Sequence, residues 1–369
     1  MTPPATAPES AVHQVVSTLE PGDAVGNEVL LLQRHLHAAG YAGDVFVAHR
    51  SGREPAAVRD LDALLESTPP PHAVLYHFAT ASTASERLAG AALPLVLVYH
   101  NVTPASFFWG VDRAHHDACV GAVDELRALR PSVRLAVAHS EFSRGELVAL
   151  GYQHTVSVPL LLDVADIDAP HHGPLYGEAT GGAPVLLSVG RVAPNKCLED
   201  TLRLQCALRR DGRDVRLWLA GDSTRLPAYS DGLHDMAGRL GIADSVRWLG
   251  AVSRSELVDC YRGAAVYVSM SEHEGFGGTL VEAMRAGTPV VAFDAGAVAE
   301  TVDGGGILLR RKHIPVAAEM VGAVLDDDRL RRALGDAGQR RAAELEPATA
   351  FAQLLHALHG AGLVEQAAP

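Results

Sequence analysis

The stretch Ser271 to Gly287, SEHEGFGGTLVEAMRAG, follows the apolar run AAVYVSM (264–270), and its reading decides the fold. A β-branched run that gives way to a glycine-rich turn and then to apolar residues at helical spacing is strand, loop and helix. Glu274 falls in the loop at the carboxyl end of the strand and Glu282 in the first turns of the helix. Both carboxylates then face the crevice where open α/β sheets bind ligands. Gly275, Gly277 and Gly278 let backbone amides approach a ligand at a helix N-terminus, a place that favours a diphosphate. Phe276, Thr279 and Leu280 complete the loop and first turn and belong to the same candidate donor site. Carboxylates that accept paired hydroxyls are a usual way to hold a sugar. The plain alternative is a glycine turn before an ordinary helix, with Glu282 solvated.

Outward from this stretch, strands and helices alternate along the whole chain. In the second half the strand candidates are 184–189, 215–220, 246–249, 265–269, 289–293 and 307–309; in the first half they are 11–19, 44–48, 73–78, 93–99, 135–138 and 156–162. Amphipathic segments such as 28–39 and 143–150 intervene, each closed by a glycine (Gly40, Gly151) suited to a left-handed C-cap. Such alternation means parallel sheet. The Pro- and Gly-bearing stretch APHHGPLYGEATGGA breaks the pattern, so the expected division is a domain over 1–168, a linker over 169–183 and a second domain over 184–369. The last helical stretch, about Ala348 to His359, is open to either domain. A chain of 369 residues is of the right length for two domains.

A second cluster is Ser188 to Lys196, SVGRVAPNK, at the end of the first strand after the linker. Beyond Gly190, Arg191 offers a planar fork for phosphate oxygens and Lys196 a point charge near the next helix N-terminus, so the two can neutralise a departing diphosphate. Lysine is scarce here: of 31 basic residues only Lys196 and Lys312 are lysines. The first half adds weaker candidates. Gly26 and Asn27, in GDAVGNEVL, open a helix after the first strand and suit a donor phosphate or an acceptor. His100, in LPLVLVYHNVTP, stands at a strand's carboxyl tip, and so does His77 in VLYHFATAS; a structural histidine is the alternative for each. Asn101, Thr103, Ser140 and Glu141 are acceptor-side candidates, with an N-cap as the alternative role of Ser140.

The SEHEGFGGTLVEAM stretch resembles the E-x7-E motif of glycosyltransferase family 4, and GRVAPNK resembles the G-R-x-x-x-x-K pattern that precedes it there. The resemblance spans about residues 11 to 345. It implies a GT-B fold, in which two Rossmann-like, doubly wound α/β domains flank an inter-domain cleft, and a retaining glycosyltransferase that needs no metal or other cofactor. It places Glu274 on donor-sugar hydroxyls, Glu282 on the nucleotide's ribose, His100 against the donor sugar, and Arg191 with Lys196 on the diphosphate. YHNVTP is similar to a form seen in bacterial members. Thr279 departs from the family, which often has proline there. The implied reaction moves a sugar from a UDP- or GDP-linked donor to a hydroxyl acceptor: a bacterial surface glycan, a lipid intermediate or a small-molecule natural product. The rival readings are a nucleotide-sugar epimerase of similar fold, which turns donor over without acceptor, and a non-catalytic nucleotide-sugar binder.

Composition narrows the classes. A net charge of -13 speaks against nucleic acid as a partner, and the first half is not an obvious docking patch for anionic lipid, which leaves at most peripheral membrane contact. The opening MTPPATAPES lacks the marks of a secretory signal, and no apolar run is long enough to cross a bilayer, so a cytoplasmic location is expected. Four cysteines (Cys119, Cys197, Cys206 and Cys260) without CxxC pairing suggest neither a disulfide framework nor a zinc site. Asp166-Ile167-Asp168 matches D-x-D in letters but sits near the linker rather than on a nucleotide-binding strand end. Asp326 to Asp328 reads as helix-terminal charge, and His171-His172 lacks ligand spacing. No metal residues are therefore assigned. The absence of GxGxxG after either half's first strand disfavours a nicotinamide dehydrogenase.

Overall fold

The computed structural model describes residues 11–365 except Pro21, Ala56 and 170–172. The opening segment 1–10 and the His171-His172 pair lie outside the described residues. The chain divides into two compact units. One comprises the described parts of Met1–Ser106, Ala114–Asp163 and Glu346–Pro369; the other comprises Phe107–Arg113 and Val164–Leu345.

Among the described residues the first unit builds a seven-stranded sheet. Its strands are β1 (Val12–Val16), β2 (Val45–Val47), β3 (Arg59–Asp60), β4 (Ala73–Phe78), β5 (Leu95–Tyr99), β6 (Val133–Ala138) and β7 (Thr155–Ser157), in the order β3-β2-β1-β4-β5-β6-β7. Every pairing is parallel. All six residues of β4 and all five of β5 are buried, as a sheet covered on both faces requires. One face packs Val15, Tyr76, Leu97 and Ala136 against Leu126 and Leu147. The other packs Leu75, Val96 and Val137 against Leu32 and Leu36, together with Ala350, Leu354 and Leu358 of the terminal helix Pro347–Gly360. The hydroxyl of Tyr41 bonds His359 Nε2 at 3.0 Å. The last helix therefore belongs to this unit.

Among the described residues the second unit builds a six-stranded sheet from β8 (Val185–Val189), β9 (Arg216–Ala220), β10 (Val246–Gly250), β11 (Val266–Ser269), β12 (Val290–Phe293) and β13 (Ile307–Leu309), in the order β10-β9-β8-β11-β12-β13. All its pairings are parallel as well. In each sheet the winding reverses beside the unit's first strand, between β1 and β4 and between β8 and β11. The loops after those four strands are the places where such sheets hold ligands.

Three local differences from the sequence expectations have physical causes. The stretch expected as linker contains the helix Pro174–Thr180, whose last carbonyls (Glu178, Ala179) and Ala183 O accept from Arg216, while Asp259 accepts from Gly173 N at 2.7 Å. Those bonds fasten 173–183 to the second unit. The strand expected over 156–162 pairs only through Ser157, because Leu161 N donates to Glu28 Oε1 (3.0 Å) instead of to a neighbouring strand. Strand β3 carries no apolar signal, since both of its residues are exposed at the sheet edge.

Candidate functional site

The loops after β8 and β11 meet at the switch point of the second sheet and are strapped together. Asn195 O accepts from Glu272 N (2.8 Å) and from Ser271 Oγ (3.1 Å), and Asn195 Nδ2 reaches His273 O (3.3 Å). Lys196 Nζ donates to Glu274 Oε1 at 2.6 Å, so charges 78 residues apart in sequence form a half-buried pair. A cavity opens there, lined by Ser188, Gly190, Lys196, Gly221, Trp248 and Glu274 among others. Arg191 is exposed and makes no ion pair among the described residues, which leaves its guanidinium open to an anion. Two glycines make the crevice possible. Gly190 has φ +148°, and a Cβ on Gly221 (φ +150°) would stand 1.9 Å from Gly190 O.

The E-x7-E stretch folds as strand, loop and helix. Gly277 takes φ +91° as N-cap of the helix Gly278–Arg285, whose first turn carries no acidic residue. Behind it, Glu274 O accepts from Ala297 N at 2.9 Å, and Thr301 Oγ1 donates to Phe276 O. Leu280 is buried beneath the turn, and Gly275 and Gly278 are partly exposed. Thr279, where the family often has proline, accepts from Tyr267 OH at 2.8 Å, so a side-chain bond stiffens the turn in place of a ring. Glu282 is held from two sides, by Tyr261 OH on Oε2 (2.8 Å) and by Arg254 Nη1 on Oε1.

Arg254 is in turn gripped by Asp166 at 2.7 and 2.8 Å, and Arg285 by Asp168 at 2.8 and 2.6 Å. The aspartates of the D-x-D lookalike thus anchor guanidiniums, and one of them supports Glu282. Asp327 caps the helix Asp328–Glu344 by accepting from Arg329 N and Leu330 N. The second lysine, Lys312, lies 2.9 Å from both Asp200 and Glu272, so the cluster Cys197, Asp200 and Glu272 surrounds an ammonium.

The first-half candidates separate. Gly26 N is taken by Asp23 Oδ1 at 2.6 Å, and a Cβ on Gly26 would stand 2.4 Å from Glu20 O, so this glycine serves the turn itself. Asn27 is exposed, with its Oδ1 3.3 Å from Gly22 N. Asn101, at φ +69°, donates from Nδ2 to Ser143 Oγ and Glu146 Oε2. Ser140 caps the helix Glu141–Ala149 through Ser143 N at 3.0 Å, and Thr103 is partly exposed.

His77 and His100, by contrast, come together at the switch point of the first sheet. His77 Nδ1 lies 3.0 Å from His100 Nε2, and His77 Nε2 lies 2.9 Å from Gln14 Oε1. Glu28 Oε2 approaches His100 Nε2 at 3.4 Å and His139 Nε2 at 3.3 Å. Burial drives the His77 pKa down to about 3, with the neighbouring His139 acting in the same direction. Burial likewise takes His100 well below its ordinary value, against the pull of Glu28. For Glu28 and His139 burial opposes charge, but each partner outweighs it: Glu28 ends below the usual carboxylate range and His139 above the usual imidazole value. Sequence reading found His77 and His100 by their strand-end positions. It missed Gln14, Glu28 and His139 in the first unit, and Asn195, Arg254, Tyr261 and Gly221 in the second, because only folding brings each set together.

Among the described residues no helix is long and apolar enough to cross a membrane. Residues 177–341 match the glycosyl transferases group 1 family. D-inositol 3-phosphate glycosyltransferase of Kineococcus radiotolerans is 35% identical over 243 residues, which are 60% of this chain and 55% of that protein. The protein of the same name from Streptomyces scabiei is 30% identical over 68% of this chain and 59% of its own length. The chain thus spans under two thirds of the length of these curated relatives. The sucrose-phosphate synthase structure from Thermosynechococcus elongatus superposes with a TM-score of 0.73 at 16% identity, covering 95% of this chain and 99% of that one. Anabaena HepE in complex with UDP and glucose superposes at 0.74 with 17% identity, covering 95% and 100%. The chain therefore has the GT-B fold, and its residues 177–341 are a glycosyl transferases group 1 domain.

Proposed function

We propose that the chain is a retaining glycosyltransferase that moves a sugar from a UDP- or GDP-linked donor to a hydroxyl acceptor without a metal cofactor. The observation that carries this reading is the crevice after β8 and β11, where Lys196 is bonded to Glu274 at 2.6 Å, with Arg191 exposed on the loop after β8. Arg191 and Lys196 stabilise the negative charge that grows on the leaving diphosphate, in the place a divalent ion would otherwise take. Glu274 orients the sugar by its hydroxyls, and Glu282, held by Arg254 and Tyr261, takes the ribose. His100 is the first unit's candidate contact for a hydroxyl of the donor sugar. In the reaction the bond between the anomeric carbon and the leaving phosphate oxygen breaks, and a bond to the acceptor oxygen forms on the same face. The acceptor's proton passes to the leaving phosphate oxygen, so no protein nucleophile is needed.

The neighbours suggest the first substrates to try. HepE was crystallised with UDP-glucose, and the relatives are named for an inositol phosphate acceptor. Candidate nucleotide sugars are supplied with and without an inositol phosphate or another hydroxyl acceptor, and free nucleoside diphosphate is measured. Acceptor-dependent release supports transfer. Isomerised sugar without acceptor favours the epimerase reading, and binding without turnover the non-catalytic one.

A further inference from the structure

Proton positions in the histidine cluster of the first unit follow from groups that cannot change polarity. Gln33 Nε2 lies 2.6 Å from the carbonyl oxygen of Gly43, and Gln14 Nε2 lies 3.1 Å from that of Val29. A carbonyl only accepts, so the amide nitrogens of both glutamines are fixed there. Gln33 Oε1 then receives Gln14 Nε2 at 2.8 Å, and Gln14 Oε1 is the atom that faces His77 Nε2 at 2.9 Å. His77 must therefore donate from Nε2, and its neutral ring offers a lone pair on Nδ1. That lone pair and Glu28 Oε2 stand 3.0 and 3.4 Å from the same atom, His100 Nε2. A nitrogen flanked by two acceptors carries the proton. The remaining nitrogen of His100, Nδ1, has no partner among the described residues and is left as an acceptor.

Glu28 Oε1 accepts from Leu161 N at 3.0 Å, and Oε2 lies 3.3 Å from His139 Nε2 in a charge contact rather than a hydrogen bond. His139 Nδ1 in turn faces Val158 O at 3.2 Å and so carries a proton. Gln14, Glu28, His77 and His139 are at most 6% exposed and the His100 side chain is 5% exposed.

We propose that Gln14, His77 and Glu28 are positioning residues that lock His100 as the Nε2–H tautomer, so that His100 meets the substrate through Nδ1 and selects a hydroxyl that donates to it. The proposal rests on the reading of His100 as a substrate contact, and it adds the polarity of that contact and the residues that set it.

Nitrogen-15 spectra of the histidine side chains in the full chain test the tautomer directly, with His100→Ala used only to assign the signals. The expected result is a protonated Nε2 and an unprotonated Nδ1 on His100 at neutral pH. In His77→Leu only the 3.4 Å contact to Glu28, which is not a hydrogen bond, is left on Nε2; the two tautomers should average, and kcat should fall about tenfold with the donor KM within about twofold, because orientation in the transition state is lost rather than binding. His77→Gln, whose amide can accept from His100 and donate to Gln14, should restore both the tautomer and most of the rate. For whichever nucleotide sugar or acceptor turns over, replacing the contacted hydroxyl by fluorine should cost as much as deleting it, since fluorine cannot donate; the position affected identifies donor or acceptor as the source.

A proton on Nδ1 in the parent protein, or a tautomer unchanged in His77→Leu, would overturn the proposal. So would stoichiometric Zn²⁺ that survives dialysis and is lost in Glu28→Gln, since Glu28, His77 and His100 place ligand atoms within 4.8 Å of one another. The spectra need no turnover, so failure of the transferase reading and failure of the tautomer assignment are separate results.

Discussion

Lys196 and Glu274 are bonded at 2.6 Å, so the proposed diphosphate would compete with a carboxylate for the ammonium. Lys196→Ala and Arg191→Ala should each lower turnover by on the order of 10²-fold or more, because each removes charge where it develops on the leaving group. Steady-state rates check this, and near-parental rates in both variants contradict it. The two glutamates should fail differently. If Glu282 takes the ribose as proposed, Glu282→Gln should weaken nucleoside diphosphate binding by about 1 to 3 kcal/mol, measured by calorimetry. Glu274→Gln should bind the free diphosphate at least as well as the parent, since it releases Lys196, and should instead lower kcat.

The buried histidines set a pH dependence of stability. His77 and His100 have pKa values below those of the unfolded chain, so their contribution is complete above about pH 6.5 and is lost as pH falls toward the folded values, about 3 for His77. The raised His139 runs the other way: its contribution is complete below about pH 6.5 and is lost above that. Glu28, held low, loses its contribution only in stronger acid. Tm should therefore fall between about pH 6.5 and 4, and less steeply in His77→Gln. Equal slopes in the two proteins would contradict this.

At the scale of elements, the crevice depends on the close approach of two turns. Gly221→Ala places a Cβ 1.9 Å from Gly190 O at φ +150°, so it should displace the Gly190 turn and weaken nucleotide binding more than it lowers Tm. A helix cap supplies a control. The capping box of the helix Arg254–Gly263 joins Ser253 and Glu256, but that helix carries Arg254 and Tyr261; the control is therefore Asp327→Ala, which removes the cap of the helix Asp328–Glu344 and should cost about 1 kcal/mol of stability while leaving nucleotide binding unchanged.

The strands and the E-x7-E turn were legible in sequence because β-branched runs and glycine spacing are local signals. Partners set by packing were not. Gln14 and His77 are 63 residues apart, Arg254 and Asp166 88 apart, and nothing in either segment names the other. Asp166-Ile167-Asp168 looked like a metal motif in letters, yet the carboxylates meet arginines that only the fold delivers. The terminal helix was legible as a helix but not by its host, since its apolar stripe matches any half-covered sheet face.

For the whole molecule, two doubly wound parallel sheets have their winding reversed beside β1 and β8, and alternation along the sequence was enough to foresee two such sheets. With Arg191 and Lys196 in the role of a metal, activity should persist in EDTA; complete loss that Mn²⁺ restores would contradict the metal-free account. The most direct test of the central claim follows UDP or GDP release from nucleotide sugars, with and without hydroxyl acceptor, and determines the anomeric configuration of the product by proton NMR. The account predicts acceptor-dependent release and a product that keeps the donor's configuration. Release without acceptor together with an isomerised sugar, or an inverted product, would contradict it.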